Sequence, residues 1–283
     1  MFIIEYMNKK LFASLMLVLA SMFWGLAYSV QSISSDTLGP YTIVFFKGAG
    51  GILLLIYALI KKEKTDKRTI FGSIMCGIVA GSGLTLQQKG IEVSTVSKAS
   101  FITSLYIVFV PILGIFYKKT PKLKAWISVL IAAVGIYFLC GSSNFNFTAG
   151  DTYTLLGAIC FAMQIMLIDK YSTAENSLMF SAISQTIISL VAGIMMIVFE
   201  KPTLADIGSC IIPVLYSLFI AGLYAQILQN KYQGEVDPTL ASLLLSCESI
   251  FGTLFGWLIL KQTLTLKEIF GCVLMLIAMF IAQ

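Results

Sequence analysis

The 283-residue chain has no histidine, and only 12% of its residues are charged. Without histidine there is no HExxH metal site and no Ser–His nucleophile pair. Asp151 follows Gly150, but Thr148 and Ala149 break any GxGD pattern, and the remaining carboxylates are too dispersed for an aspartyl dyad. No GxxxxGK[ST] loop is present, so the chain carries no nucleotide-phosphate cradle of its own. Cysteine occurs at six scattered positions (76, 140, 160, 210, 247 and 272), without a CxxC pair or the spacing of a disulfide framework. These absences speak against an enzyme, a metalloprotein and any cofactor. A charged fraction about half that of soluble domains, with 58% hydrophobic residues, marks an integral membrane chain. The net charge of +5 does not point to nucleic acid, because the basic residues sit in short loops between apolar runs.

What is present is a series of spanning-length apolar runs, about 11–31, 41–60, 70–88, 97–117, 123–141, 151–169, 178–199, 207–229, 239–260 and 265–282. The first continues through Phe23, Trp24 and Gly25 with no small-x-small site, so it reads as an uncleaved span. The expected fold is all-α integral membrane, with ten transmembrane helices. Thirteen Lys and Arg residues fall on the side of the N-terminus and five on the other, with Lys47 inside a span. That asymmetry places both termini in the cytoplasm of a multi-pass protein of the plasma membrane.

A shift of 142 residues aligns the two halves. Leu86-Gln87-Gln88-Lys89 meets Leu228-Gln229-Asn230-Lys231, Ala99-Ser100 meets Ala241-Ser242, and Ser104, Phe109 and Gly114 meet Ser246, Phe251 and Gly256. The halves are residues 1–141 and 151–283, joined by a polar linker at 142–150. Each holds five runs, an odd number, so the second copy enters the membrane inverted. A 5+5 inverted-topology repeat around a central cavity is the architecture of secondary transporters, with the site at the midplane. One chain suffices for such a mechanism, and a dimer stays open.

The chain resembles the EamA family of the drug/metabolite transporter superfamily over essentially its whole length. The resemblance rests on Phe23-Trp24-Gly25, on Phe45-Phe46-Lys47, and on the signatures running from Lys98-Ala99-Ser100-Phe101 to Pro111 and from Ala241-Ser242-Leu243 to Phe255-Gly256-Trp257. The chain departs from the family pattern in Lys47 (often Arg), in Ile107 and Ser249 (often Pro), and in Lys261-Gln262 (often Gly-Glu). The resemblance implies transport of drugs or metabolites such as amino acids, amines or nucleosides, commonly export, and no enzymatic activity. A lipid or head-group flippase and uptake of a neutral metabolite such as a nucleoside are the alternatives.

Glu248 is the leading site residue. It lies midway along an otherwise apolar run, where a carboxylate costs about 3 kcal/mol or more unless it meets a cavity or a partner. It can bind a substrate ammonium or exchange a proton. The 142-residue shift superposes it on Tyr106. Trp24, Tyr28 and Gln31 share one helix face, and a cation can pack on such a ring. Gln164, Gln185, Tyr224 and Ser246 complete the expected substrate-binding set, with Tyr216 and Gln226 as further cavity candidates. Ser181, Gln185 and Ser189 form one stripe. Lys47 either snorkels to the outer headgroups or meets an acidic group, Glu248 included. Lys89 and Lys231 read as anchors, and Gly77, Gly81 and Gly83 as a helix-packing seam. One deep acid among aromatics favours a cationic or zwitterionic solute, an amino acid or amine, with proton coupling through Glu248.

Overall fold

A computed structural model describes residues 9–34, 36–63, 65–92, 102–140, 148–261, 263 and 265–282. Lys98–Phe101, linker residues 142–147 and Gln262 lie outside that set. The regular elements of the described residues are all helical, with a helix over each apolar run. In hydrocarbon each backbone N–H and C=O must find a partner in the protein, and a helix supplies it within its own segment.

The first half holds α1 (Lys9–Ser34), α2 (Pro40–Ile60), α3 (Lys67–Glu92), α4 (Tyr106–Phe116) and α5 (Leu123–Cys140). The second half begins with α6 (Ala149–Tyr171) and α7 (Ser177–Met195), which runs on into a π-helical turn, Met196–Glu200. A short α8 (Leu204–Ser209) follows. Then α9 (Ile211–Leu215), a π-helical stretch (Tyr216–Tyr224) and α10 (Ala225–Tyr232) form one rod. The chain ends with α11 (Pro238–Leu245), α12 (Glu248–Leu260) and α13 (Leu266–Ala282). Among the described residues, seven helical segments are long and apolar enough to cross a membrane, and the helices at Ile102–Phe116 and Leu123–Phe138 are shorter and apolar.

Local chemistry sets the ends. Thr148 with Asp151 and Thr203 with Asp206 form capping boxes that open α6 and α8. Asp66 accepts from the Thr69 amide at 2.8 Å ahead of the first turns of α3, and its bonds to Thr69 hold its carboxyl below the usual carboxylate range. Lys62, Lys118, Lys201 and Lys261 all adopt positive φ just beyond α2, α4, the π turn after α7, and α12. Glycine is the usual choice there. Lysine adds a cation at the negative end of each helix dipole, close to the headgroups.

The packing is inside-out relative to a soluble protein. Ile60, Phe116 and Phe280 are each about three-quarters exposed, as suits a surface that faces lipid. Ser21, Thr42, Ser73, Ser104 and Ser181 are buried. α2 packs on α7, α3 between α6 and α7, α5 on α13, α1 on α12 and on the 211–232 rod, and α4 on α6 and α11. The largest apolar core, around Leu17, Tyr106, Ile107, Ile136, Met166, Leu244 and Met275, joins both halves. Gly77 sits against Ser184 O and Ile187, and Gly83 against Cys160 and Phe161, so this glycine series is the packing seam of α3. Lys89 lies 5.4 Å from the Tyr41 ring and Lys231 5.3 Å from the Tyr232 ring.

The crossing of α1 and α12 depends on Gly25. A Cβ there would lie 2.5 Å from Phe251 Cβ and 2.8 Å from the Glu248 carbonyl oxygen. Gly25→Val must push the helices apart and is expected to cost about 1–3 kcal/mol, read as a lower unfolding temperature in detergent. A variant as stable as the parent would show that the crossing is looser than described.

Candidate functional site

The helix over the 239–260 run is interrupted. α11 ends at Leu245, Ser246 and Cys247 form a turn, and Glu248 is the first residue of α12. In the first half, helical residues Ile102–Ser104 precede a turn at Leu105, and Tyr106 is the first residue of α4. The breaks form without proline at Ile107 or Ser249. They set a tyrosine and a glutamate at the starts of two half-helices. The Ser104 and Ser249 hydroxyls, 2.8 Å apart, tie the broken segments together. The Tyr106 hydroxyl and the Glu248 carboxylate interact.

Both residues line one cavity of about 730 Å³ of empty space, its open mouth included. Its walls come from both halves. α1 gives Trp24, Tyr28 and Gln31, α2 gives Lys47, and α3 gives Gln87. α6 gives Phe161 and Gln164, α7 gives Gln185, and the 211–232 rod gives Gln226 and Gln229. Glu248 is only 8% exposed and Tyr106 4%.

The polar wall is held in place. Trp24 Nε1 donates to the Ala221 carbonyl at 2.8 Å, and the Tyr216 hydroxyl to the Phe23 carbonyl at 2.7 Å, which clamps α1 to the rod. Gln87 Nε2 donates to the Tyr28 hydroxyl at 3.4 Å and to Thr103 Oγ1 at 3.2 Å. Across the cavity Gln226 donates to Gln229 at 3.0 Å, Gln229 to Gln233 at 2.9 Å, and Gln233 to the Ile165 carbonyl at 2.7 Å. Gln226 also donates to Asn230, which donates to Ser181 Oγ at 2.8 Å. Gln185 donates to the Gly222 carbonyl at 3.2 Å, while its Oε1, like Ser189 Oγ, is buried with no partner among the described residues. An unmet buried polar atom costs about 1–3 kcal/mol.

Of the eight expected substrate-binding residues, Glu248, Tyr106, Trp24, Tyr28, Gln164 and Gln185 line the cavity, and Tyr224 and Ser246 do not. Tyr224 is half-exposed on the outside of the rod, its ring against Phe23. The π-helical stretch that ends there changes the rotation per residue and brings Gln226 inward instead. The Ser246 hydroxyl donates to the Leu243 carbonyl at 2.8 Å within the broken helix. Lys47 does not snorkel outward. Its own carbonyl lies against Gly222, and the next residue, Gly48, lies so close to α7 that a Cβ would meet the Ser189 amide at 2.6 Å, so the residue is wedged between α7 and the rod and its side chain joins the cavity wall. Gln87 and Gln229 also line the cavity, and in the sequence they stand out only as repeat matches. Their signal was that very match, a polar side chain repeated at equivalent deep positions.

A multi-pass helical membrane protein with a cavity walled by side chains from both of its halves has the build of a carrier. The model of the EamA-like transporter family matches it twice, over residues 11–141 and 148–282, and the chain belongs to that family. It is therefore a membrane transporter and not an enzyme. An Archaeoglobus fulgidus protein named an uncharacterized transporter is 32% identical over 279 residues, covering 97% of this chain and 87% of that protein. A Rickettsia bellii protein named an S-adenosylmethionine uptake transporter is 22% identical over 267 residues, covering 89% of each. A crystal structure of a protein 14% identical to this chain matches with a TM-score of 0.80, over 95% of this chain and 96% of that one, and speaks for the fold alone.

The two glutamines at equivalent positions differ in what they hold. Gln229→Leu strips partners from both Gln226 and Gln233, whereas Gln87→Leu strips only hydroxyls. The first is expected to lower the unfolding temperature more, by the equivalent of about 1–3 kcal/mol, in a thermal melt of the two variants side by side. Equal losses would show that the amide ladder carries no special share of stability.

Proposed function

We propose that this protein is a secondary active transporter that moves a small cationic or zwitterionic organic solute, an amino acid or amine, by alternating access. It works as ten transmembrane helices in a 5+5 inverted repeat, residues 1–141 and 151–283, in the plasma membrane with both termini cytoplasmic, and one chain suffices. Export is the direction we assign. The packing pattern supports the repeat. Exchanging the first five runs with the last five turns the α1–α12 contact into α6–α4, and the α3–α6 contact into that of the rod with α1, and all of these occur. The two matches of the family model fall on the same division. Two similar halves around one cavity can exchange conformations, and that opens the site to each face in turn.

The observation that carries this reading is the position of Glu248. It is a buried carboxylate at the break of a membrane helix, on the wall of a cavity built by both halves. It is the one carboxylate among the described lining residues, and so the group placed to take a substrate ammonium and to exchange a proton for it. Trp24, Tyr28 and Phe161 offer ring faces to the same cation.

Transport currents from proteoliposomes on a solid support test this. Amino acids and amines applied with and without a pH gradient are expected to give saturable currents that depend on pH. In Glu248→Gln the currents are expected to fall by about tenfold or more and to lose that dependence. Unchanged currents with unchanged pH dependence would remove Glu248 from the mechanism.

A second reading follows from the relatives named S-adenosylmethionine uptake transporters. A sulfonium nucleoside suits a wall of aromatic rings and glutamine amides, and the direction would then be inward. Uptake of labelled S-adenosylmethionine into the same proteoliposomes separates it from the first reading.

A further inference from the structure

Lys47 is the second charged residue among the described lining of the cavity. It stands on α2, in the opposite half from Glu248 on α12. The two are close enough to interact electrostatically, yet they form no ion pair with each other, and Lys47 has no hydrogen bond among the described residues. The wall thus holds one basic and one acidic side chain that are not joined in an ion pair. Beside Lys47, Gln185 packs on Gly48 and Gly51 and keeps a buried acceptor, Oε1, without a donor.

A basic and an acidic side chain on one wall select their occupant. A plain cation that meets Glu248 leaves the Lys47 ammonium unpaired and facing it, and a plain anion does the reverse. Such an unpaired buried charge is costly, and repulsion of the wrong ligand contributes to specificity as much as attraction of the right one. A solute with both charges satisfies both residues together.

We propose that Lys47 is the specificity-determining residue of this cavity: it receives a substrate carboxylate, so the protein takes zwitterions in preference to the corresponding amines. This rests on the reading of Glu248 as the ammonium receptor. It narrows the solute to one that bears a carboxylate and an ammonium together, with the two halves of the repeat each supplying one pole of the site. Lys47 and Glu248 then come together through the substrate, so a bound zwitterion links the two halves where an amine links neither.

The test is equilibrium binding to the purified full-length protein of the proteinogenic amino acids, each set beside its decarboxylated amine. The wild-type protein is expected to bind its best amino acid about tenfold or more tighter than the matching amine. Lys47→Met is expected to erase that difference by weakening the amino acid while amine binding holds or tightens, and that amine binding is the check on folding. Lys47→Arg, which keeps the charge, is expected to preserve the preference. The proposal is overturned if the wild-type protein binds amines as tightly as amino acids, or if Lys47→Met weakens both alike. The Glu248→Gln protein keeps the two readings apart. If it loses amine binding while the wild type shows no preference for zwitterions, the Lys47 assignment alone fails. If its amine binding equals that of wild type, it is the Glu248 reading that fails.

Discussion

A helix that crosses hydrocarbon must satisfy its own backbone, and this chain interrupts two of its helices inside the protein. At Leu105 and at Ser246–Cys247 the regular ladder lapses, and the half-helices α4 and α12 begin at Tyr106 and Glu248. Interruptions of this kind are tolerated only where protein or a polar cavity surrounds them. The rest of the structure provides that setting. The Ser104–Ser249 contact ties the two broken segments, Gly25 lets α1 come close against α12, and amide and hydroxyl networks from α3 and the 211–232 rod line the opening. The cavity lies at the breaks, and the positive ends of two helix dipoles meet at its wall.

The fold and the site share one economy of sequence. The same internal match that reveals the two halves also pairs Tyr106 with Glu248 and Gln87 with Gln229, and the structure puts all four on one cavity. The halves differ at the charged positions of the cavity. A phenol faces a carboxylate, and Lys47 has Ser189 at the matching place under the 142-residue shift. The scaffold is repeated, and the two charged residues of the cavity wall are not. A carrier whose halves exchange conformations needs the first property, and an asymmetric solute needs the second.

Much of this was legible in the sequence because membrane chains speak in composition. Apolar runs forecast the helices, and a lone carboxylate inside one of them stands out against its cost. Lys47 was ambiguous because a lysine near the end of a run ordinarily reaches the headgroups; its inward position depends on Gly48 and Gly222, whose close contacts exist only in three dimensions. Tyr224 and Ser246 fall outside the cavity lining for a related reason. Helical spacing assigns faces only while the rotation per residue is constant, and a π-helical stretch precedes one while a break holds the other. Gln87 and Gln229 needed the repeat to be read as chemistry as well as ancestry.

The central claim is that one cavity, walled by both halves, opens to each membrane face in turn. The most direct measurement is the labelling of a single cysteine at Gln164, on the cavity wall, by a membrane-impermeant thiol reagent added to one face or the other of oriented vesicles, in a background without the native cysteines. The account predicts labelling from both faces, with a saturating solute gradient shifting the balance from one face to the other. Labelling from one face alone under every gradient would contradict it and make the cavity a vestibule with a single mouth.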